Sequence, residues 1–271
     1  MRILVTFIIG NGFDIKTGLK TRYTDFYKVY TKKKTSDSGI IRHFKDVILK
    51  SEAHNWTNWA DFELQMGIHS KDFSGFTPVE DFIACFNDFV VCFNEYLFAE
   101  CAKINWNAVG HNLYNTLLGS IQHFDSYITQ ISQDEIRSLI PHNATVNFLQ
   151  FNYTDTFDKL LQLGKFSRRL LSNQQNVGNH ITRLGDSLHV HGKLGVGGYA
   201  TMGVDSEAQI KNQKIQCDSR IHTIFIKPKF LDLLQARNVN QKNVREKALS
   251  VMNGSNIICT FGTSIGHTDK Y

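Results

Sequence analysis

The sequence is poor in several things that would otherwise decide its class. It has three Pro in 271 residues and no CxxC pair among its five Cys. An odd cysteine count without paired spacing excludes a disulfide framework or a zinc ribbon. Cys85, Cys92 and Cys101 share one helical stretch and read as small core residues, which implies a reducing, cytoplasmic compartment. The chain also lacks a membrane span. Its most apolar internal stretch, Phe82 to Phe98, is interrupted by Asn87, Asp88, Asn94 and Glu95. The apolar first ten residues lead into Asn11-Gly12-Phe13-Asp14 rather than a small-residue cleavage site, so they read as a buried strand and not a leader. A dense basic stripe is missing too. The net charge of +5 favours an anionic ligand but argues against a nucleic-acid partner, and Lys32-Lys33-Lys34 reads as the solvated end of a helix. Finally, there is no GxxxxGK[ST] phosphate loop, and the third glycine of a dehydrogenase fingerprint is replaced by Ile15.

What is present is an ordinary globular composition, 42% hydrophobic and 20% charged, with twenty Phe to fill a large core. Ile3 to Ile9 is a short apolar run that suits a strand buried on both faces. Helical spacing follows, with Tyr23, Phe26, Tyr27 and Tyr30 at i, i+3, i+4 and i+7, and dominates to about residue 132. Its clearest stripe is Phe82, Phe86, Phe89, Phe93 and Leu97 on a helix introduced by Pro78, expected to be core packing. Strand character returns at Ala144 to Phe151, a helix follows through Leu163 to Gly164, and Arg168 to Asp186 is polar and loop-like. Ser187 to His191 reads as a short strand, 193–220 as a mobile loop or lid, and His222 to Ile226 as another strand. A helix is expected from about Pro228 to Met252, and Asn256 to Phe261 as the last strand. One strand, a helical block and then alternation give an α/β fold with a Rossmann-like parallel sheet, in a single domain with a helical insertion at about 22–135.

Ligands of such sheets bind beyond the carboxyl ends of the strands. Four of these ends carry small or polar residues: Gly10-Asn11-Gly12-Phe13-Asp14, Asn152-Tyr153-Thr154, His189-Val190-His191-Gly192 and Gly262-Thr263-Ser264. Gly10 and Gly12 would let backbone approach a phosphate, or simply make a tight turn. His189 and His191, two apart on a strand, face the same way and suit a general base, a two-His metal site or plain structure. No further ligand follows at short spacing, so no metal is expected. Asn152 is placed to orient a water or a ribose hydroxyl, and Thr263 and Ser264 offer hydroxyls and amides to ribose or phosphate.

These elements, with Gly18-Leu19, Trp59-Ala60-Asp61-Phe62-Glu63 and Phe261 to Asp269, resemble the bacteriophage abortive-infection family AbiH in that family's order. AbiH proteins are in turn similar to sirtuin-like NAD-binding domains. By that comparison Gly10, Asn11, Gly12, Phe13 and Asp14 stand where the sirtuin Gly-Ala-Gly-x-Ser loop does. Asn152 and His191 take the places of the catalytic Asn and His, and Gly262-Thr263-Ser264 that of the Gly-Thr-Ser element. Thr154 replaces the sirtuin Asp, with Asp155 one position late, and the four-Cys zinc module is missing. Family members usually continue past Gly266-His267-Thr268-Asp269, so a truncated C-terminal end is expected. The resemblance implies an antiphage effector that binds NAD or a related nucleotide and hydrolyses its nicotinamide–ribose bond. Asn152 and His191 would be catalytic, and Gly10, Asn11, Gly12, Phe13, Asp14, Gly262, Thr263 and Ser264 would hold the nucleotide. An unknown phage trigger and a homo-oligomer are implied partners. Glu63 is expected in a surface or capping role. The alternatives are a non-catalytic nucleotide sensor and a metal-dependent hydrolase or nuclease using His189 and His191.

Overall fold

A computed structural model describes residues 2–33, 38–54, 61–122, 130, 132, 134–135, 143–163, 171–172, 181–193, 201–229 and 244–263. In chain order the strands are β1 (Arg2–Ile9), β2 (Asn143–Gln150), β3 (Leu171–Ser172), β4 (Ile181–His189) and β5 (Ile257–Phe261). The helices are α1 (Gly12–Lys16), α2 (Tyr23–Tyr30), α3 (Gly39–Lys50), α4 (Phe62–His69), α5 (Pro78–Cys101), α6 (Trp106–Gln122), α7 (Thr156–Leu163), α8 (Gln213–Gln216), α9 (Ser219–Phe225) and α10 (Val244–Gly254). The chain divides into two compact units.

The first unit takes residues 1–19, 101–193 and 243–263 and holds the sheet, in the order β3-β4-β2-β1-β5. β4, β2, β1 and β5 run parallel, and the two-residue β3 is antiparallel to β4. β1 is central, and the sequence explains why. Ile3, Val5, Phe7, Ile8 and Ile9 are all buried, so both of its faces need cover. The helices supply it. Phe157 and Leu160 of α7 and Ile121 of α6 join Val5, Phe7, Phe148 and Phe13 in one core. The register brings Phe261, Ile9, Gln150 and His189 into one row across the sheet. All four expected strand ends therefore emerge at the same edge.

The second unit takes residues 20–100, 194–242 and 264–271. Its core is aromatic and follows the stripe on α5. Phe82, Phe86, Phe89, Phe93 and Leu97 are buried, Phe62 stacks on Phe89 with ring centroids 3.4 Å apart, and Phe225 packs against Phe82 and Phe86. By length and composition α5 is long and apolar enough to cross a membrane, although Asn87, Asp88, Asn94 and Glu95 argue against a span in the sequence, and its aromatic stripe is buried within this unit. Cys85 and Cys92 are buried on the same helix, as small core residues.

Three local expectations are corrected. His222 to Ile226 is helical rather than extended, because the Asp218 carboxylate accepts from the backbone N–H of Arg220 and opens α9 with Ile221 and Phe225 on its buried side. Only Ile226 keeps a bridge, to Val204. Residues 201–220 are not loose: Met202, Val204, Ile210 and Ile215 are buried, and Ser70 Oγ accepts from the N–H groups of Lys211 and Asn212. β4 begins at Ile181, inside the expected loop. Its pairing with β2 shifts between Val146 and Phe148, where Asn147 Oδ1 accepts from the N–H of Asp186, and this irregularity breaks the alternation a strand would show. Residues 164–170, 173–180 and 230–243, which carry other parts of the expected loops and the long helix, lie outside the described residues.

Candidate active site

The loop after β1 and the loop after β5 meet through backbone. Gly12 N–H donates to Gly262 O at 2.7 Å and Gly10 N–H to Phe261 O at 3.0 Å. A Cβ at Gly12 would lie 2.4 Å from Gly262 Cα, and one at Gly10 2.5 Å from Thr263 Cα. Gly262 also has a φ of +62°. Three of the expected nucleotide-binding glycines are thus required by the packing of one loop on the other. Phe13 N–H donates to Gly10 O. With those of Gly10 and Gly12 it is engaged inside the protein, so none of the three points at a phosphate. The Phe13 ring is buried edge-on to Phe157 and joins the core beneath the loop. Ser264 lies outside the described residues, as do Trp59 and Ala60.

The polar centre lies on the other side of β1, where the β2 end approaches α1. Asp14 is wholly buried on α1. Its Oδ2 accepts from Thr154 Oγ1 at 2.7 Å and from Asn152 Nδ2 at 3.3 Å. Asn152 Nδ2 also reaches Thr154 Oγ1 at 3.3 Å. Asp14 Oδ1 and Asn152 Oδ1 are buried, and neither has a hydrogen-bond partner among the described residues. Burial pushes the Asp14 carboxyl up to about 6. Hydrogen bonds from Thr154, Asn152 and Thr156 act in the opposite direction, and nearby Asp155 adds to the rise. Two buried acceptors without a protein donor cost free energy that a donor-bearing ligand would recover.

The two histidines part company. Nε2 of His189 meets Asp158 Oδ2 at 2.9 Å, and Asp158 also accepts from Lys193 Nζ and Gln150 Nε2, each at 2.8 Å. Burial raises the Asp158 carboxyl, but the hydrogen bonds of His189 and Lys193 outweigh it and hold the group far below the usual carboxylate range. His189 is therefore tied to α7. His191, also buried, lies edge-on to Phe151 with ring centroids 5.0 Å apart and tilted against Tyr153, the two chain neighbours of Asn152. No group of three or more metal-ligating side chains occurs among the described residues.

Thr154, which stands where a carboxylate is expected, instead donates to Asp14, and Thr156, absent from the sequence reading, also acts on that carboxyl. The available signal was their spacing, two and four residues after Asn152 just beyond a strand. Glu63 is a further correction. It is buried in the second unit and accepts from Tyr23 OH at 2.9 Å, while Asp61 makes the helix cap through Leu64 N–H. Burial raises its carboxyl and Lys227 opposes the rise.

A central parallel sheet with a buried polar cluster at its carboxyl edge defines an α/β protein whose candidate ligand site is at the strand ends. The chain matches the family model for bacteriophage abortive infection AbiH over residues 6–271, nearly its whole length, and belongs to that family. No curated protein and no solved structure matches it.

Proposed function

We propose that this abortive-infection protein binds NAD at the sheet edge of the first unit, in a sirtuin-like manner, and hydrolyses its nicotinamide–ribose bond. The observation that carries this reading is the buried Asp14–Asn152–Thr154 cluster with its two undonated acceptor oxygens. Asn152 Oδ1 accepts from the attacking water or a ribose hydroxyl. The water oxygen bonds to the ribose anomeric carbon as the carbon–nitrogen pair leaves with nicotinamide, through an oxocarbenium-like state. His191 takes the proton released, a contribution on the order of 10²–10⁴-fold. In this reading Thr263, at the β5 end, offers its hydroxyl to ribose or diphosphate.

The test follows free nicotinamide from the purified chain and NAD. Asn152→Ala and His191→Ala should each lower release by about 10² or more while NAD binding persists. Binding without release in the wild type would make the protein a sensor. Chelator-sensitive cleavage of nucleic acid, with NAD left intact, would overturn the reading altogether.

A further inference from the structure

Among the described residues no cationic side chain meets Asp14. Its carboxylate is completely buried, and the groups that act on it are the hydroxyls of Thr154 and Thr156, the amide of Asn152 and another acid, Asp155. Cys101, whose thiol burial pushes up to about 11, also feels its charge. None of these is cationic, and Oδ1 has no donor among the described residues. The contrast with Asp158 is instructive. That carboxylate, in the same unit, is met by both His189 and Lys193 and lies far below the usual range. A fully buried carboxylate is ordinarily paired, because isolated burial of the charged form is among the costliest arrangements a fold can hold. The undonated oxygen of Asn152, whose amide nitrogen donates to Asp14, adds a second buried acceptor beside it that a ligand would satisfy.

We infer that the ligand supplies the missing positive charge, so that Asp14 selects the oxidised, pyridinium form of the nicotinamide nucleotide over the neutral reduced form. This rests on the NAD reading above and deepens it. The reduced and oxidised nucleotides share diphosphate, riboses and adenine. They differ at the one ring whose charge a buried carboxylate can distinguish. At an effective dielectric constant of about 20, a unit pair several ångströms apart differs from a neutral contact by far more than one decade in affinity.

The experiment is calorimetric titration of the full chain with NADH and with a carbocyclic NAD+ analogue that binds as a cation but cannot be cleaved. The wild type should prefer the cation by about tenfold or more at pH 7.5. Asp14→Asn should bring the two affinities within about twofold by weakening only the cation. The wild type alone provides a second reading. Its preference should shrink as pH falls through about 6, where Asp14 takes up a proton. Equal affinities in the wild type, or a preference that survives Asp14→Asn, would overturn the charge selection while leaving NAD binding intact. Binding of neither nucleotide would overturn the NAD reading and this inference with it.

Discussion

Asp14 shows how a single side chain can work against the fold that holds it. Its folded-state carboxyl is raised from 3.8 to about 6 by burial. A group with a raised folded value favours the native state fully below the unfolded value, and that advantage is lost as pH rises through the folded one. A rise of that size corresponds to about 3 kcal/mol, an upper figure for what the ionised group costs at neutral pH. Asp14→Asn should therefore stabilise the empty protein by about 1–3 kcal/mol at pH 7.5. The gain should fade between pH 6 and 4, which urea denaturation across that range would read. A variant less stable than the wild type at pH 7.5 would show that the carboxylate is compensated in the native state. Higher stability alongside weaker binding of the cationic nucleotide is the pairing expected of a functional group placed at a structural cost.

Among the elements, the strand ends carry the organisation of the site. β1, β2 and β5 were legible as short apolar runs closed by Gly or Asn; β1 is buried on both faces, whereas β5, at the end of the described sheet, leaves Ile258 and Phe261 exposed. β4 was only half legible. It lies toward the edge of the sheet, where Gly185, Asp186 and Ser187 are exposed and the register slips beside Asn147. α9 was misread because Ile221, Thr223, Ile224 and Ile226 mimic a strand, and the deciding Asp218 cap is one residue among many. Of the site, Asn152 and Asp14 were visible as polar residues at strand ends, but their hydrogen bond joins positions far apart in the chain and no local pattern announces it. The glycines of the β1 loop suit either a phosphate approach or a plain tight turn in the sequence; in the structure they pack against the β5 loop. Gly12→Ala and Gly262→Ala should each destabilise by about 1–3 kcal/mol or more, since each puts a methyl group less than 3.0 Å from backbone, and at Gly262 left-handed backbone adds to the strain. Thermal melts would check this, and a melting temperature within a degree of wild type would show that the loops can separate without loss.

For the whole molecule, the sheet unit and the aromatic unit are stabilised by different means. The first depends on parallel strand pairing covered by helices. The second depends on interlocked rings around Phe89, which is fully buried and touches Phe26, Tyr30, Phe62 and Phe93. Phe89→Ala should cost about 3–5 kcal/mol, the range for removing a core aromatic. Chemical denaturation followed by fluorescence would measure it. A change below about 1 kcal/mol would mean that the ring cluster closes around the gap. The match to the AbiH family spans both units. The residues that support a particular chemistry, Asp14, Asn152, Thr154 and His191, all belong to the sheet unit.

The contact between Gly12 and Gly262 also has a consequence in time. It joins the first loop of the chain to the last described one, so the wall they build cannot exist on a growing polypeptide. β1 must wait for β5, its partner on that side, to be synthesised about 250 residues later, and such long-range pairing is slow to form. Fragments that stop before β5 would lack the wall. The same topology that assembles the site therefore delays it until β5 has been made.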